Sequence, residues 1–275
     1  IVGQPQTILM KPPSPQSKHT HKPLAYLRHA DANLLGYRLL AYVMALIGGA
    51  INAGGFFAVA RYTSHMSGEL ARMADHLYMH EWRVAWVSAV MVLSFVAAAC
   101  HAAFTILWAK HSRFRSSYAL TLWVEAVYML LFGLLGASLA RFQLLVPITV
   151  VLMCFIMGMH NTVMTMLSKG VIRSTHMTGF VTDIGIELAK FLFHSLQQKR
   201  PSWHSVNHTK FKLCTGLVAS FVVGGVLGAW GFHQVQYRFV LPLSALLVVP
   251  VGLLLAYGLL RLSTSLFTEL RELVF

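Results

Sequence analysis

The sequence predicts an all-α membrane protein: six transmembrane helices in two inverted three-helix repeats, each repeat carrying a short re-entrant or half helix. Three observations predict it. The 275 residues are 56% hydrophobic and only 11% charged, with a mean hydropathy of +0.62, whereas soluble domains carry roughly a quarter charged residues. Several apolar runs exceed about 18 residues, the length that crosses a hydrocarbon core as helix. A polar cluster occurs twice, as Thr63-Ser-His-Met-Ser-Gly68 and Ser174-Thr-His-Met-Thr-Gly179, each where a new helix is expected to begin.

In chain order, residues 1–30 form a polar, Pro-, Lys- and His-containing tail with no apolar core before a small-residue cleavage site, read as a flexible cytoplasmic segment and not a secretory signal. Six spans follow, over Leu39–Val59, Val84–Trp108, Tyr118–Ala140, Leu144–Leu167, Leu213–Phe232 and Phe239–Leu260. Two further segments, 67–79 and 178–193, are too short or too polar for an easy span. Repeat 1 is thus 31–142 and repeat 2 is 143–275.

The net charge of +13 comes from 22 Lys and Arg against 9 Asp and Glu. In a soluble chain it would suggest nucleic acid; here the cations sit in tails and loops, where they set orientation and meet anionic headgroups. With six crossings and a cytoplasmic N-terminus, only Arg61, Arg72, Arg83, Arg141 and Arg238 fall outside. The bias follows the positive-inside rule and puts both termini in the cytoplasm.

The repeat extends beyond the cluster. Gly49-Ala-Ile-Asn52 matches Gly158-Met-His-Asn161, each near the end of a span and 13 or 15 residues before the motif histidine. An odd number of crossings per unit inverts the second copy, so the first motif faces outward and the second inward. Inverted repeats with interrupted segments are the architecture of many secondary transporters. Irregular backbone at membrane depth persists only inside protein or along a wet cavity. Ser67 and Thr178 are expected to cap the short helices, with Gly68 and Gly179 allowing close approach.

The segments "SHMSG" and "RSTHMTGFVTDIGIELAK" resemble those of the YoaK-like family of bacterial inner-membrane proteins, and the resemblance covers nearly the whole chain beyond the tail. It implies a bacterial inner-membrane location and a family whose function is unknown. Glu69 departs from the neutral Asn usual there, placing an acid in the first helical turn.

The pathway candidates are His65, Ser67, Gly68, Asn52, Asn161, His176, Thr178, Gly179, Asp183 and Glu125. His65 and His176 either serve a substrate or proton path, or tie down their own loops. Asn52 and Asn161 are expected to bond across helices. Asp183 could pair with Arg72 at the aligned position, and Glu187 with Lys190 on a solvated face. Glu125 interrupts an apolar span, which marks it as a functional candidate. His101 and His160 have no spacing that selects haem iron. Cys100, Cys154 and Cys214 read as buried structural thiols.

No phosphate loop, metalloprotease helix or paired-cysteine motif occurs, and Gly136-Ala-Ser138-Leu139 lacks the final glycine of a serine-protease turn. The expectation is therefore no enzyme, no cofactor, no metal and no nucleic acid. The function expected is a transporter or permease for a small polar or anionic solute, with proton coupling through His65, His176, Asp183 or Glu125. The alternative is a non-catalytic subunit or scaffold that docks on a larger membrane complex. Expected partners are membrane lipids, including anionic cytoplasmic headgroups, a small solute, and a membrane protein or a second copy of the chain.

Overall fold

The computed structural model describes residues 31–59, 61–112, 116–141, 146–198 and 205–248. The polar tail and the far half of the sixth expected span lie outside these residues. The chain divides into two units, 1–37 and 38–275, and the second holds every contact discussed below. The described residues are helical with no strand: α1 (Asp31–Val59), α2 (Met66–Tyr78), α3 (Trp82–His111), α4 (Ser117–Arg141), α5 (Val146–Leu167), α6 (Met177–Gln198) and α7 (His208–Val235), then a 3-10 turn (Gln236–Phe239) and helical residues 240–248.

Among the described residues, five segments are long and apolar enough to cross a membrane: Arg38–Phe57, Trp82–His111, Ser117–Leu134, Ile148–Leu167 and His208–Val248. The last is 41 residues long, about 60 Å as straight helix, twice a hydrocarbon core. It does not stay straight. Gln236 adopts a φ of 51°, and the Phe239 ring comes back against Gly231 and Phe232. This break falls between the fifth and sixth expected spans. The 178–193 segment is longer than expected: α6 has 22 residues, about 33 Å, and its Asp183, Glu187 and Lys190 make it too polar for an easy span. The short helix α2, 13 residues, is where it was expected.

α3 shows why this chain needs an apolar surround. Its inner stripe is small and periodic, with Ala85, Ser88, Met91, Ser94, Ala98, Ala102, Ile106 and Ala109 all buried, and it packs along α5. Its outer face exposes Trp86, Leu93, Val96, Phe104 and Leu107, an apolar surface too large and continuous for water. Small residues on the packed face let backbones approach, which drives helix association where no hydrophobic effect operates. Ser94 Oγ adds a hydrogen bond to the Val151 carbonyl at 2.7 Å.

The same close approach occurs at two places related by the sequence repeat. A Cβ on Gly49 of α1 would lie 2.1 Å from the Phe221 carbonyl oxygen of α7, and one on Gly158 of α5 would lie 2.5 Å from that of Phe95 in α3. Gly49 matches Gly158, and Ser94-Phe95-Val96 matches Ser220-Phe221-Val222, so corresponding residues make corresponding contacts. The α1–α7 seam continues through Gly224 against Leu46 and Gly228 against Ala50, where added Cβ atoms would sit 1.9 and 2.3 Å from carbonyl oxygens.

Gly224→Ala therefore forces α1 and α7 apart and is expected to cost about 1–3 kcal/mol as an overpacked site. Gly225→Ala, whose Cβ meets nothing nearer than 3.8 Å, is expected to leave stability unchanged. Thermal unfolding of both variants in detergent checks the contrast.

Candidate functional site

The two motif loops are built alike. From Thr63 to Glu69 and from Ser174 to Phe180 the pattern of burial is identical residue by residue. Asn52 Oδ1 accepts hydrogen bonds from Ser64 N at 3.3 Å and Ser64 Oγ at 2.7 Å. Asn161 Oδ1 accepts from Thr175 N and Ser174 Oγ, both at 3.1 Å, and its Nδ2 donates to Thr175 Oγ1. Each asparagine thus satisfies a backbone amide that the interrupted helix cannot, which low-polarity surroundings require.

The histidines are placed differently from the loop tie considered for them. His65 and His176 are exposed, and no hydrogen bond to either imidazole is present among the described residues. Each imidazole instead lies across the glycine three residues on: added Cβ atoms at Gly68 and Gly179 would stand 2.1 and 2.6 Å from the ring Cδ2 atoms. The motif glycine seats the ring. Ser67 and Thr178 do not cap. The helices start one residue earlier, at Met66 and Met177, so both hydroxyl residues sit exposed inside the first turn.

Around this shared frame the two halves diverge. In the first, the Glu69 carboxylate is buried and accepts from Arg61 Nη1 at 3.1 Å and Ser88 Oγ at 2.7 Å. The corresponding positions in the second are Phe180, Ile172 and Cys214, all within the apolar core. The second half carries its charge one turn later. Asp183 pairs with Lys210 at 2.8 Å and not with Arg72, because α6 packs on α7. Glu187 is not on a solvated face: it is 1% exposed and accepts from Lys190 Nζ at 2.7 Å and from the Asn207 backbone amide at 2.8 Å. Asn207 is the α7 N-cap, and the equivalent contact in the first half is the His76–Glu81 pair at the α3 N-cap. Of the thiols, Cys154 and Cys214 are buried and Cys100 is exposed, contrary to expectation.

Glu125 meets the one buried partner that the sequence left unassigned. His160 Nδ1 lies 2.6 Å from Glu125 Oε1, and His160 Nε2 lies 2.8 Å from the Met44 carbonyl oxygen. Both side chains have zero exposure. The contact joins α1, α4 and α5 within three membrane-length segments. The only sequence signal for it was that both residues are ionisable and lie inside apolar runs. His101 lies against Tyr128 and Phe155, with Nε2 unpartnered. No group of three metal-ligating side chains occurs among the described residues. An open pocket of about 500 Å³ at the α2–α3 turn is lined by His80, Glu81, Trp82, Arg83 and Val84 and touches neither motif histidine.

These features define a helical multi-pass membrane protein with two like-built loops and one buried carboxylate–imidazole pair. Residues 40–256 match the family described as proteins of unknown function, DUF1275, and the chain belongs to that family. No curated protein and no solved structure matches it.

Replacing Asn161 by Ala leaves the Thr175 amide without its acceptor, and the expected loss is about 1–3 kcal/mol. Faster hydrogen exchange confined to 172–178 is the readout, and Asn52→Ala is expected to act the same way at 62–66. The Glu187 carboxyl is held below its usual range by the Lys190 and Asn207 hydrogen bonds. Its contribution to stability is therefore present above the unfolded carboxylate range and lost as pH falls through the lowered value. Acid titration of proteolytic sensitivity at the α6–α7 connection is expected to show a transition that Glu187→Gln lacks.

Proposed function

We propose that the protein is a transporter or permease-like integral membrane protein, built as six spans in two inverted repeats, which moves a small polar or anionic solute with proton coupling. The observation that carries this reading is the Glu125–His160 pair, fully buried among membrane-length helices. An ionisable pair is expensive there and marks an ion or substrate path more often than a structural tie. The like-built motif loops, with corresponding contacts at Gly49 and Gly158, support the repeat, and the break at Gln236 supports a sixth crossing. Inverted insertion opens one loop to each side of the membrane. The cation distribution supports cytoplasmic termini and anionic lipid headgroups as partners on that side. The motif resemblance supports a bacterial inner membrane and the narrower YoaK-like affiliation.

A second reading, a non-transporting scaffold within a larger membrane complex or homo-oligomer, is favoured by one observation: the pair is sealed, each partner bonded and neither exposed.

Proteoliposomes enclosing a pH-sensitive dye separate the two. Imposed gradients of inorganic phosphate, acetate, glutamate and glycine are expected to include at least one that drives proton movement absent from empty liposomes and slowed by His176→Ala. Equal rates in that variant would remove His176 from the path. Folded protein with no flux for any of the four would replace the transport reading with the scaffold.

A further inference from the structure

The geometry of the Glu125–His160 contact sets its proton count. A backbone carbonyl only accepts, so the 2.8 Å approach of Met44 O requires a hydrogen on His160 Nε2. Across the 2.6 Å between Nδ1 and Oε1 an imidazole lone pair cannot face a carboxylate oxygen. A second proton lies between them, whether bonded to nitrogen or to oxygen. The pair then has zero net charge, which is what a site with no exposure on either side chain demands. Glu125 Oε2 is buried with no donor, an arrangement tolerable for a neutralised carboxyl and costly for a free carboxylate.

Losing the shared proton changes this. It leaves as H⁺ to water, Glu125 becomes an anion, and His160 stays neutral with its hydrogen on Nε2. The pair passes from net charge zero to minus one, and the Nδ1 lone pair now faces a negative oxygen at contact distance. The contact must open. Its neighbours are the second motif loop: Asn161, the next residue after His160, holds Ser174 and Thr175. A Cβ on Gly48 would meet the Thr175 methyl at 3.2 Å and His160 Nε2 at 3.4 Å. In the first half the position of His160 is taken by Ile51, which holds no proton.

We propose that Glu125 and His160 form a one-proton binding site whose loaded form is the conformation described, and that release of that proton frees the second motif loop and not the first. Other titratable groups on the packed elements are distinct from it. His101 of α3 and Tyr128 of α4 touch each other, and Cys154 of α5 packs with Met91 and Val150. Tyr42 of α1 packs on Gly216, and Asp183 of α6 pairs with Lys210 of α7.

The chain carries its own reporters. Cys214 is buried in the core with Phe180 and Ile172 of the second loop and α6. Cys154 is buried beside Met66 at the first. The full chain with Cys100→Ser, in lipid nanodiscs, is labelled with a small maleimide across a pH series that begins at about pH 5 and extends above pH 8, bracketing the ordinary range of histidine charge change, and each thiol is resolved by mass spectrometry. The comparison is Glu125→Gln, whose amide can donate to Nδ1 and keep the contact with no proton to lose. The wild-type to Glu125→Gln rate ratio at Cys214 is expected to rise with pH, by up to about tenfold per unit across the titration, while the ratio at Cys154 stays flat. A flat ratio at Cys214, or an equal rise at both thiols, overturns the proposal. If Glu125→Gln does not fold, the Cys214 to Cys154 ratio in the wild-type chain decides the matter: a rise with pH supports the site, and a flat ratio removes it. Calling this proton the coupling ion rests on the transport reading, and the labelling does not. Flux without pH-dependent labelling removes this site alone, and labelling without flux removes transport alone.

Discussion

A helix interrupted among apolar neighbours leaves backbone amides that water cannot reach, and the fold depends on how those amides are satisfied. Here one side chain does it twice. Asn52 and Asn161 each stand near the end of an apolar helix and accept from the hydroxyl residue and amide of the following loop. With the amides satisfied, the loop can hold a tight turn, and the next helix can start at once with a histidine folded over a glycine. The glycine is obligatory because the imidazole occupies the space of its missing Cβ.

The second constraint is close helix approach. Where lipid is as apolar as leucine, burying leucine gains little, and packing density decides which helices associate. Gly49, Gly224 and Gly228 let α1 and α7 touch backbone to backbone, and Gly158 with Ala98 does the same for α5 and α3. Satisfied loops and tight seams together form the frame common to both halves.

The two halves differ in what departs from that frame. The first half buries the Arg61–Glu69–Ser88 cluster where the second buries Ile172, Phe180 and Cys214. The second half places His160 where the first has Ile51, and His160 meets the buried Glu125 carboxyl. The two halves are thus held by different chemistry on one frame: a buried ion pair with a hydroxyl in the first, and a buried carboxyl–imidazole contact beside the loop in the second.

The sequence by itself determined the all-helical membrane class, the short helix α2 and the correspondence of the two motif loops, because apolar runs and loop breaks are local properties of composition and order. It also singled out Asn52, Asn161 and Glu125, since a lone polar group in an apolar run must have a partner. The Ser94-Phe95-Val96 and Ser220-Phe221-Val222 correspondence was equally readable but lay in apolar sequence with little to mark it. Partner identity was decided only by the tertiary structure. Asp183 joins Lys210 instead of Arg72, Glu187 is buried instead of solvated, and Glu125 meets His160, 35 residues away. Pairing depends on which helices pack and at what rotation, and those are set by shape along whole seams, which no single residue records.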